Sequence, residues 1–383
     1  MSNRKMTVAL FSNYLMHHQL PFCLEMVRLL GENYIFVATE EFDRERKTLG
    51  YEDMNSKYGF VLRAYESEEN RRKAFEIART YDAVMFGAAP EEYISERAKL
   101  NKLSYRYCER PLKDGRKYLL KPKKLYGMIK TDTRYIFKRV YLLCASAYAA
   151  KDMALAGAYI NKAYKWGYFP QVKKYEDIGK LLLDKKPASI LWAGRLLGWK
   201  HPEMAVTLAG RLKEKGYKFE INVIGNGELE AALRRMIEEK DLTDCVHMLG
   251  SMPPDRVREH MERSEIFLFT SDRSEGWGAV LNESMNSACA VIANKKIGSV
   301  PFLLRQGYNG LIYKDENEFY DLAEKCLRDR ELRLTLGENA YNTIVNLWNP
   351  ETAAQRIIDL SEKLLAENKF YYEEGPCSKA ERI

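Results

Sequence analysis

The chain has 383 residues, 46% of them apolar and 30% charged, with no low-complexity tract, which predicts packed domains and excludes a disordered or fibrous protein. The net charge is +7, and the longest apolar run, residues 140–150, has eleven residues, too few to span a bilayer. The seven cysteines are scattered, with no C-x-x-C pair, so neither zinc nor disulfides are expected and reduced, idle thiols are.

In chain order, the N-terminus MSNRKMTVALFSN has a short apolar stretch that reads as a first buried strand. It lacks the long core and cleavage site of a signal sequence, so a cytoplasmic protein is expected. Strands are predicted at 7–11, 35–39, 83–86, 102–108, 140–144 and 166–169, with a helix at 21–30. Residues 101–139 hold thirteen Lys and Arg against Glu109, Asp114 and Asp132, a local net of +10 that leaves about −3 for the rest of the chain. Tyr105, Tyr107, Tyr118, Tyr126 and Tyr135 are interleaved. Such a stretch attracts phosphate polymers or anionic headgroups, and tyrosines suit a membrane interface. The competing reading is a solvated, lysine-rich connector.

A charged segment, 175–186, ends at Pro187 and marks a domain boundary, giving a first domain over 1–180 and a second over 187–349. In the second, strands predicted at 189–193, 219–224, 245–249, 266–270 and 290–293 alternate with helices at 202–215, 229–239, 255–264 and 279–288. That alternation means βαβ units around a parallel sheet. Helices follow at 316–329, 331–346 and 350–366, with Asn349-Pro350 breaking the last two. Residues 350–372 are expected to return to the first domain, and 373–383, polar and carrying Gly375-Pro376, to be a mobile tail. The fold class is α/β, two tandem Rossmann-like domains.

The segment 271–294 carries most of the chemistry. Glu275 is followed by Gly276-Trp277-Gly278, and Glu283 comes eight residues after the first carboxylate. Two glycines at a strand-to-helix turn let a phosphate approach the backbone, and a new helix offers unpaired N–H groups. Eight helical residues rise ~12 Å, about the length of a nucleotide diphosphate with its sugar, so one carboxylate could hold hydroxyls at each end. Leu281, in the helical pattern Val280, Leu281, Ser284, Met285 and Ala288, is expected among the donor-binding residues. Upstream, Gly194-Arg195 ends a strand and Lys200 follows, a cation pair suited to a diphosphate at a strand's carboxyl end. Ile224-Gly225-Asn226-Gly227 ends the next strand in a tight turn over which a ligand could pass. It is no dinucleotide fingerprint, because position 230 is Glu. Each piece alone reads equally as surface charge.

Together, GRLLGWK (194–200), VIGNGELE (223–230), SEGWGAVLNESMNSACAVIA (274–293), IGSVPFLL (297–304) and NGLIY (309–313) resemble, in order, the motifs of the nucleotide-sugar half of a GT-B glycosyltransferase of family 4. The resemblance covers about residues 187–366. It implies two Rossmann-like domains facing a cleft, the first binding the acceptor, and transfer of a hexose-type sugar from a nucleotide-diphosphate sugar, UDP foremost, with retention. It implies that Glu275 and the Gly276, Trp277 and Gly278 backbone bind the sugar, Arg195 and Lys200 the diphosphate, and Glu283 the ribose, with 246–248, including Met248, near the base. The donor is a substrate and no cofactor is expected; with no Asp-x-Asp in the chain, no metal clamp is expected either.

The sequence departs from the family at Phe302, where Glu is frequent, at Ala288-Cys289-Ala290, and in a first loop, 12–19, without glycine. The acceptor-side catalytic residue therefore does not carry over. His17 and His18 are the first domain's only histidines, at a strand–helix loop; one faces the cleft, or they cap or pack. Glu109 and Arg110 are the alternatives. The basic segment and YCER (107–110) are similar to bacterial capsule and exopolysaccharide assembly enzymes, which implies a glycan or lipid-diphosphate-linked acceptor and peripheral association with the inner face of the membrane. The rivals are a nucleotide-sugar epimerase or phosphorylase on the same scaffold, a silent binding module, and a nucleic-acid binder, for which no binding motif is found.

Overall fold

Most strands named above for the second domain are near-continuous apolar runs, the pattern of a parallel sheet covered on both faces, with 219–224 alternating through Glu220 and Asn222. A computed structural model of the protein describes residues 5–43, 52–113, 115 and 121–383. Arg116, Lys117, Tyr118 and Asp114 of the basic stretch lie outside the described residues. The chain divides into two units, Met1–Gln171 with Asn349–Ile383, and Val172–Trp348.

The first unit holds β1 (Val8–Ser12), β2 (Tyr34–Ala38), β3 (Val61–Arg63), β4 (Ala83–Phe86), β5 (Ser104–Cys108), β6 (Val140–Cys144) and β7 (Ala163–Lys165), all parallel, in the order β3-β2-β1-β4-β5-β6-β7. β1 and β4 are buried along their whole length. The last strand is displaced from 166–169: Trp166 adds one backbone bond beyond β7, its N–H to Cys144 O at 3.1 Å, and the Trp166 and Phe169 rings pack on Phe22 of the Leu20–Leu30 helix, with Phe22–Trp166 ring centroids 5.5 Å apart. Arg97, fully buried, gives its guanidinium to the carbonyls of Ala78, Tyr81, Asp82 and Leu103, tying helix ends to the sheet.

The second unit holds β8 (Lys186–Ala193), β9 (Glu220–Ile224), β10 (Val246–Gly250), β11 (Ser264–Phe269), β12 (Ala290–Asn294) and β13 (Leu311–Tyr313), in the order β10-β9-β8-β11-β12-β13. Parallel ladders run throughout, with Ile190 opposite Ile266 and Phe267 opposite Val291 in the middle. β8 and β11, central neighbours but distant in sequence, form the switch point where strand order reverses and where ligands of open α/β sheets bind. Two buried charges brace this unit. Lys185 donates to the carbonyls of Met261, Glu262, Ser264 and Ser287 at 2.8–3.2 Å. Glu265, the single acid inside β11, pairs with Arg333 at 2.9 Å and accepts the Ala188 N–H at 2.7 Å.

The last long helix, Pro350–Leu365, packs within the first unit against the Leu20–Leu30 helix. Asn349 caps it, its side chain accepting the Thr352 N–H, and Pro350 occupies the first turn. Residues 373–383, expected to be a loose tail, are instead bonded along β7: Lys165 N–H donates to Ser378 O at 2.7 Å, Ala380 N–H to Ala163 O at 3.1 Å, and Cys377 is fully buried. A free sheet edge needs such a cover, and that need outweighs the segment's polarity.

Candidate functional site

The site grows from the loops that leave β8 and β11. Trp192, near the end of β8, donates its indole N–H to Thr270 Oγ1 at 2.8 Å, and Thr270 donates in turn to Lys200 O at 2.7 Å. The Asp272 N–H reaches Trp199 O at 2.9 Å. These bonds stitch the two loops together and bring Lys200 Nζ to 2.5 Å from Glu275 Oε2, which also accepts from Ser271 Oγ at 3.0 Å. Both charged side chains are largely removed from water, and Glu275 is buried. The expectation of Lys200 on phosphate and Glu275 on sugar thus meets a pair in which each neutralises the other.

Arg195 sits on the same loop but is exposed, with no side-chain partner among the described residues. It remains available to an anion. Glu283 lies on the Val280–Asn286 helix, half-buried, and its carboxylate has no hydrogen-bond or ion-pair partner among the described residues. Burial raises its pKa, and the nearby Arg258 opposes that rise. A half-buried carboxylate without a hydrogen-bond or ion-pair partner in the protein keeps its acceptor oxygens for a ligand, which suits vicinal hydroxyls. Arg258 itself holds Asn286 Oδ1 at 2.7 Å.

The span from Glu275 to Glu283 is not one helix. It is a loop to Ala279 and then a seven-residue helix, so the ~12 Å helical rise does not apply. Leu281 and Glu283 N–H groups are already bonded, to Gly278 O and Ala279 O, because the turn closes on itself. Gly278 is required: at φ +77°, a Cβ there would lie 2.4 Å from Phe269 Cζ and 3.1 Å from Glu275 Cγ. Gly276 is buried, and so is Leu281.

Trp277 is a core residue. It is fully buried, donates to Asn282 Oδ1 at 2.9 Å, and packs on Phe302 and Trp348 with ring centroids 6.4 and 6.0 Å away. Phe302 stacks on Trp348, which accounts for an aromatic ring where the resembling family often has Glu. Gly225 also differs from expectation. Its φ is +140°, and a Cβ would stand 1.8 Å from Gly194 O, so glycine is needed for the close approach of the β8 loop rather than of a ligand. Met248, on edge strand β10, is half-buried against the core.

In the first unit, a cleft of about 400 Å³ is lined by Ser12, Asn13, His18, Tyr107, Glu109 and Tyr168, among others. His18 lies 4.5 Å, ring to ring, from Tyr168, which donates to Glu109 Oε1 at 2.8 Å. His17 packs edge-on against His18 and is not among the lining residues. Arg110 is buried in an ion pair with Asp152 at 3.3 Å and lies over the Tyr148 ring, which makes it a structural cation. Tyr168 had no sequence signal. Lys185 and Glu265 had one, a charged residue beside or within an apolar strand.

The family model for glycosyl transferases group 1 matches residues 173–343. This stretch is a glycosyl transferases group 1 domain. The chain is 32% identical over 148 residues to the amylovoran biosynthesis glycosyltransferase AmsK of Erwinia amylovora, an alignment covering 37% of this chain and 36% of that one. It is 29% identical over 144 residues to the putative colanic acid biosynthesis glycosyltransferase WcaL of Escherichia coli, covering 36% and 35%. These alignments span about a third of the curated relatives. Among solved structures, Anabaena Alr3699/HepE in complex with UDP superposes with a TM-score of 0.68 at 14% identity, over 94% of this chain and all of that one. A Rickettsia africae glycosyltransferase gives 0.61 at 15% identity, over 94% and 99%. At such identities the likeness establishes the fold, two parallel-sheet α/β domains of the GT-B type.

Proposed function

We propose that the protein transfers a hexose-type sugar from a nucleotide-diphosphate sugar, a UDP-sugar foremost, to a glycan or lipid-diphosphate-linked acceptor with retention of anomeric configuration. The observation that carries this reading is the buried Lys200–Glu275 pair at the switch point, flanked by the unpartnered Arg195 and the unpaired Glu283. The names of the relatives support it, including polysaccharide biosynthesis glycosyltransferases and an N-acetylgalactosaminyltransferase of Campylobacter jejuni whose name specifies a diphospho-undecaprenol substrate.

In this reading the Arg195 guanidinium takes two diphosphate oxygens. Lys200 moves its charge from Glu275 to the phosphate, and the freed Glu275 carboxylate accepts hydrogen bonds from the sugar hydroxyls. Glu283, already unpaired, receives the ribose. As the anomeric C–O bond to the phosphate breaks and one to the acceptor oxygen forms, the acceptor's proton passing to the leaving phosphate, the negative charge growing on that phosphate is stabilised by the two cations, the kind of stabilisation that often contributes most to a rate. The acceptor enters the first unit's cleft, where His18 and Glu109, linked through Tyr168, lie at the surface a hydroxyl would meet. No metal step is invoked, since the chain has no Asp-x-Asp and no metal-binding cluster is found among the described residues.

The test is transfer from UDP-, GDP- and ADP-sugars by wild type and Arg195→Ala. Because Arg195 is exposed and unpartnered, the variant should keep the wild-type melting temperature and lose at least ~100-fold in transfer, the scale of one lost oxyanion contact. Wild-type rates in the variant would overturn the assignment. Interconversion of the donor without any acceptor would favour the epimerase instead.

A further inference from the structure

Thirteen large hydrophobic side chains are exposed among the described residues, and six of them fall between positions 126 and 160. Phe137 is 91% exposed and Tyr126 65%. Tyr126 and Ile129 stand one helical turn apart on the outer face of the Pro122–Thr131 helix, opposite the buried Met128. Ile136 and Phe137 follow in the next turn. Leu155 and Ile160 belong to a neighbouring segment bonded alongside: Thr133 Oγ1 donates to Ala156 O at 2.6 Å, Tyr159 to Asp132 at 2.9 Å, and Lys162 Nζ to the Ile136 and Lys138 carbonyls.

Positive charge surrounds this apolar group. Residues 121–139 contain seven cations, and their single acid, Asp132, is buried against Arg106 at 3.4 Å. Arg134 is paired with Glu91, whereas Lys121, Lys123 and Lys130 are exposed and have no partner among the described residues. The lysines, then, present unneutralised charge beside protruding aromatic and aliphatic groups.

We propose that this surface docks the protein on an anionic lipid bilayer, with Tyr126, Ile129, Ile136 and Phe137 entering the headgroup boundary and the lysines against the phosphates. The chemistry selects that occupant. A phosphate polymer would use the cations but give Ile129, Ile136, Leu155 and Ile160 nothing to bury against. A second copy of the chain would bring like charge against like charge across a two-fold axis. A membrane interface takes both features at once. The inference does not depend on glycosyl transfer.

The experiment is flotation of the full chain with vesicles of phosphatidylcholine alone and with about 30% phosphatidylglycerol, at low salt and near 1 M, where the screening length falls to about 3 Å. Binding should require the anionic lipid and be lost at high salt. K121Q/K123Q/K130Q should weaken the partition about a hundredfold, roughly fivefold per lysine. F137S should weaken it about tenfold through lost apolar contact. Both variants change exposed residues and should melt with wild type. Absence of binding to the anionic vesicles at low salt overturns the proposal. So does binding that both variants leave unchanged, or binding to neutral vesicles of equal strength. Dimerisation that F137S abolishes without altering flotation would assign the apolar group to a second copy instead.

Discussion

Breaking the Lys200–Glu275 pair one partner at a time measures how strongly the two switch-point loops are coupled. The atoms lie 2.5 Å apart, and the side chains are only 16% and 11% exposed. Removing one partner of a buried pair leaves the other charge uncompensated, at a cost of about 3–5 kcal/mol. Some water still reaches this pair and Ser271 remains as a donor to Glu275, so about 3 kcal/mol is expected for either Lys200→Met or Glu275→Gln. The double variant leaves no orphaned charge. It should also lose about 3 kcal/mol rather than about 6, a coupling near 3 kcal/mol, at the top of the usual range for contacting residues. For a domain of this size that corresponds to a fall of about 6–12 °C in melting temperature for each of the three proteins. A double-mutant cycle by urea unfolding and calorimetry at neutral pH reads it directly. Additivity within about 0.5 kcal/mol would refute the claim that these two groups neutralise one another in the unliganded protein.

Gly225→Ala should cost about 3–5 kcal/mol, since φ +140° and a Cβ 1.8 Å from Gly194 O combine backbone strain with a clash against backbone. Gly198→Ala on the adjoining turn meets nothing within 4 Å and should stay within about 0.5 kcal/mol of wild type, so equal melting curves for the two variants would contradict the packing described. Lys185→Met strips four carbonyls of their donor and should destabilise by about 3 kcal/mol or more; an unchanged unfolding midpoint would show that those carbonyls find other partners. His201 is hydrogen-bonded to Glu203 at 2.9 Å and faces Asp272, and this raises its pKa above 6.5, Glu203 contributing most. A raised folded-state pKa gives stability that is fully present below the unfolded value and lost as pH rises through the folded one. The melting temperature of wild type should therefore exceed that of His201→Gln most at about pH 5.5, with the gap closing above neutrality. A gap that widens with pH would reverse the sign and reject the ion pair.

Most of both sheets could be read from the sequence because fully buried parallel strands are short apolar runs between amphipathic helices. The exceptions are instructive. β3 and β13 have three residues each, too few for a period, and β3 is only half-buried. Residues 166–169 look like a strand, yet beyond one backbone bond at Trp166 their aromatic rings serve the core rather than a ladder. At the site, the residue types at 195, 200, 275 and 283 pointed to a diphosphate and a sugar, but their pairing did not. Lys200 and Glu275 are 75 positions apart, and only the folded loops bring them together. The same distance problem hid Asp152, which neutralises Arg110, and Tyr168, which links His18 to Glu109. Trp277 was read only for its backbone, and the core role of its ring was hidden because its partners Phe302 and Trp348 come from farther along the chain. Glu265, like Lys185, was a buried charge with a visible signature, a lone acid in the strand SEIFLF.

The first unit is closed by a segment from far along the chain, residues 349–383. Tyr105 on β5 meets Ser361 at 2.9 Å, Arg139 donates to Leu364 O, and the 377–380 backbone bonds to β7. On the ribosome, β1 to β7 emerge long before these partners exist, while the intervening unit already has every strand of its own sheet. A nascent chain would thus complete the 172–348 unit before the one that precedes it, and losing residues 349–383 would injure the part of the molecule made earlier.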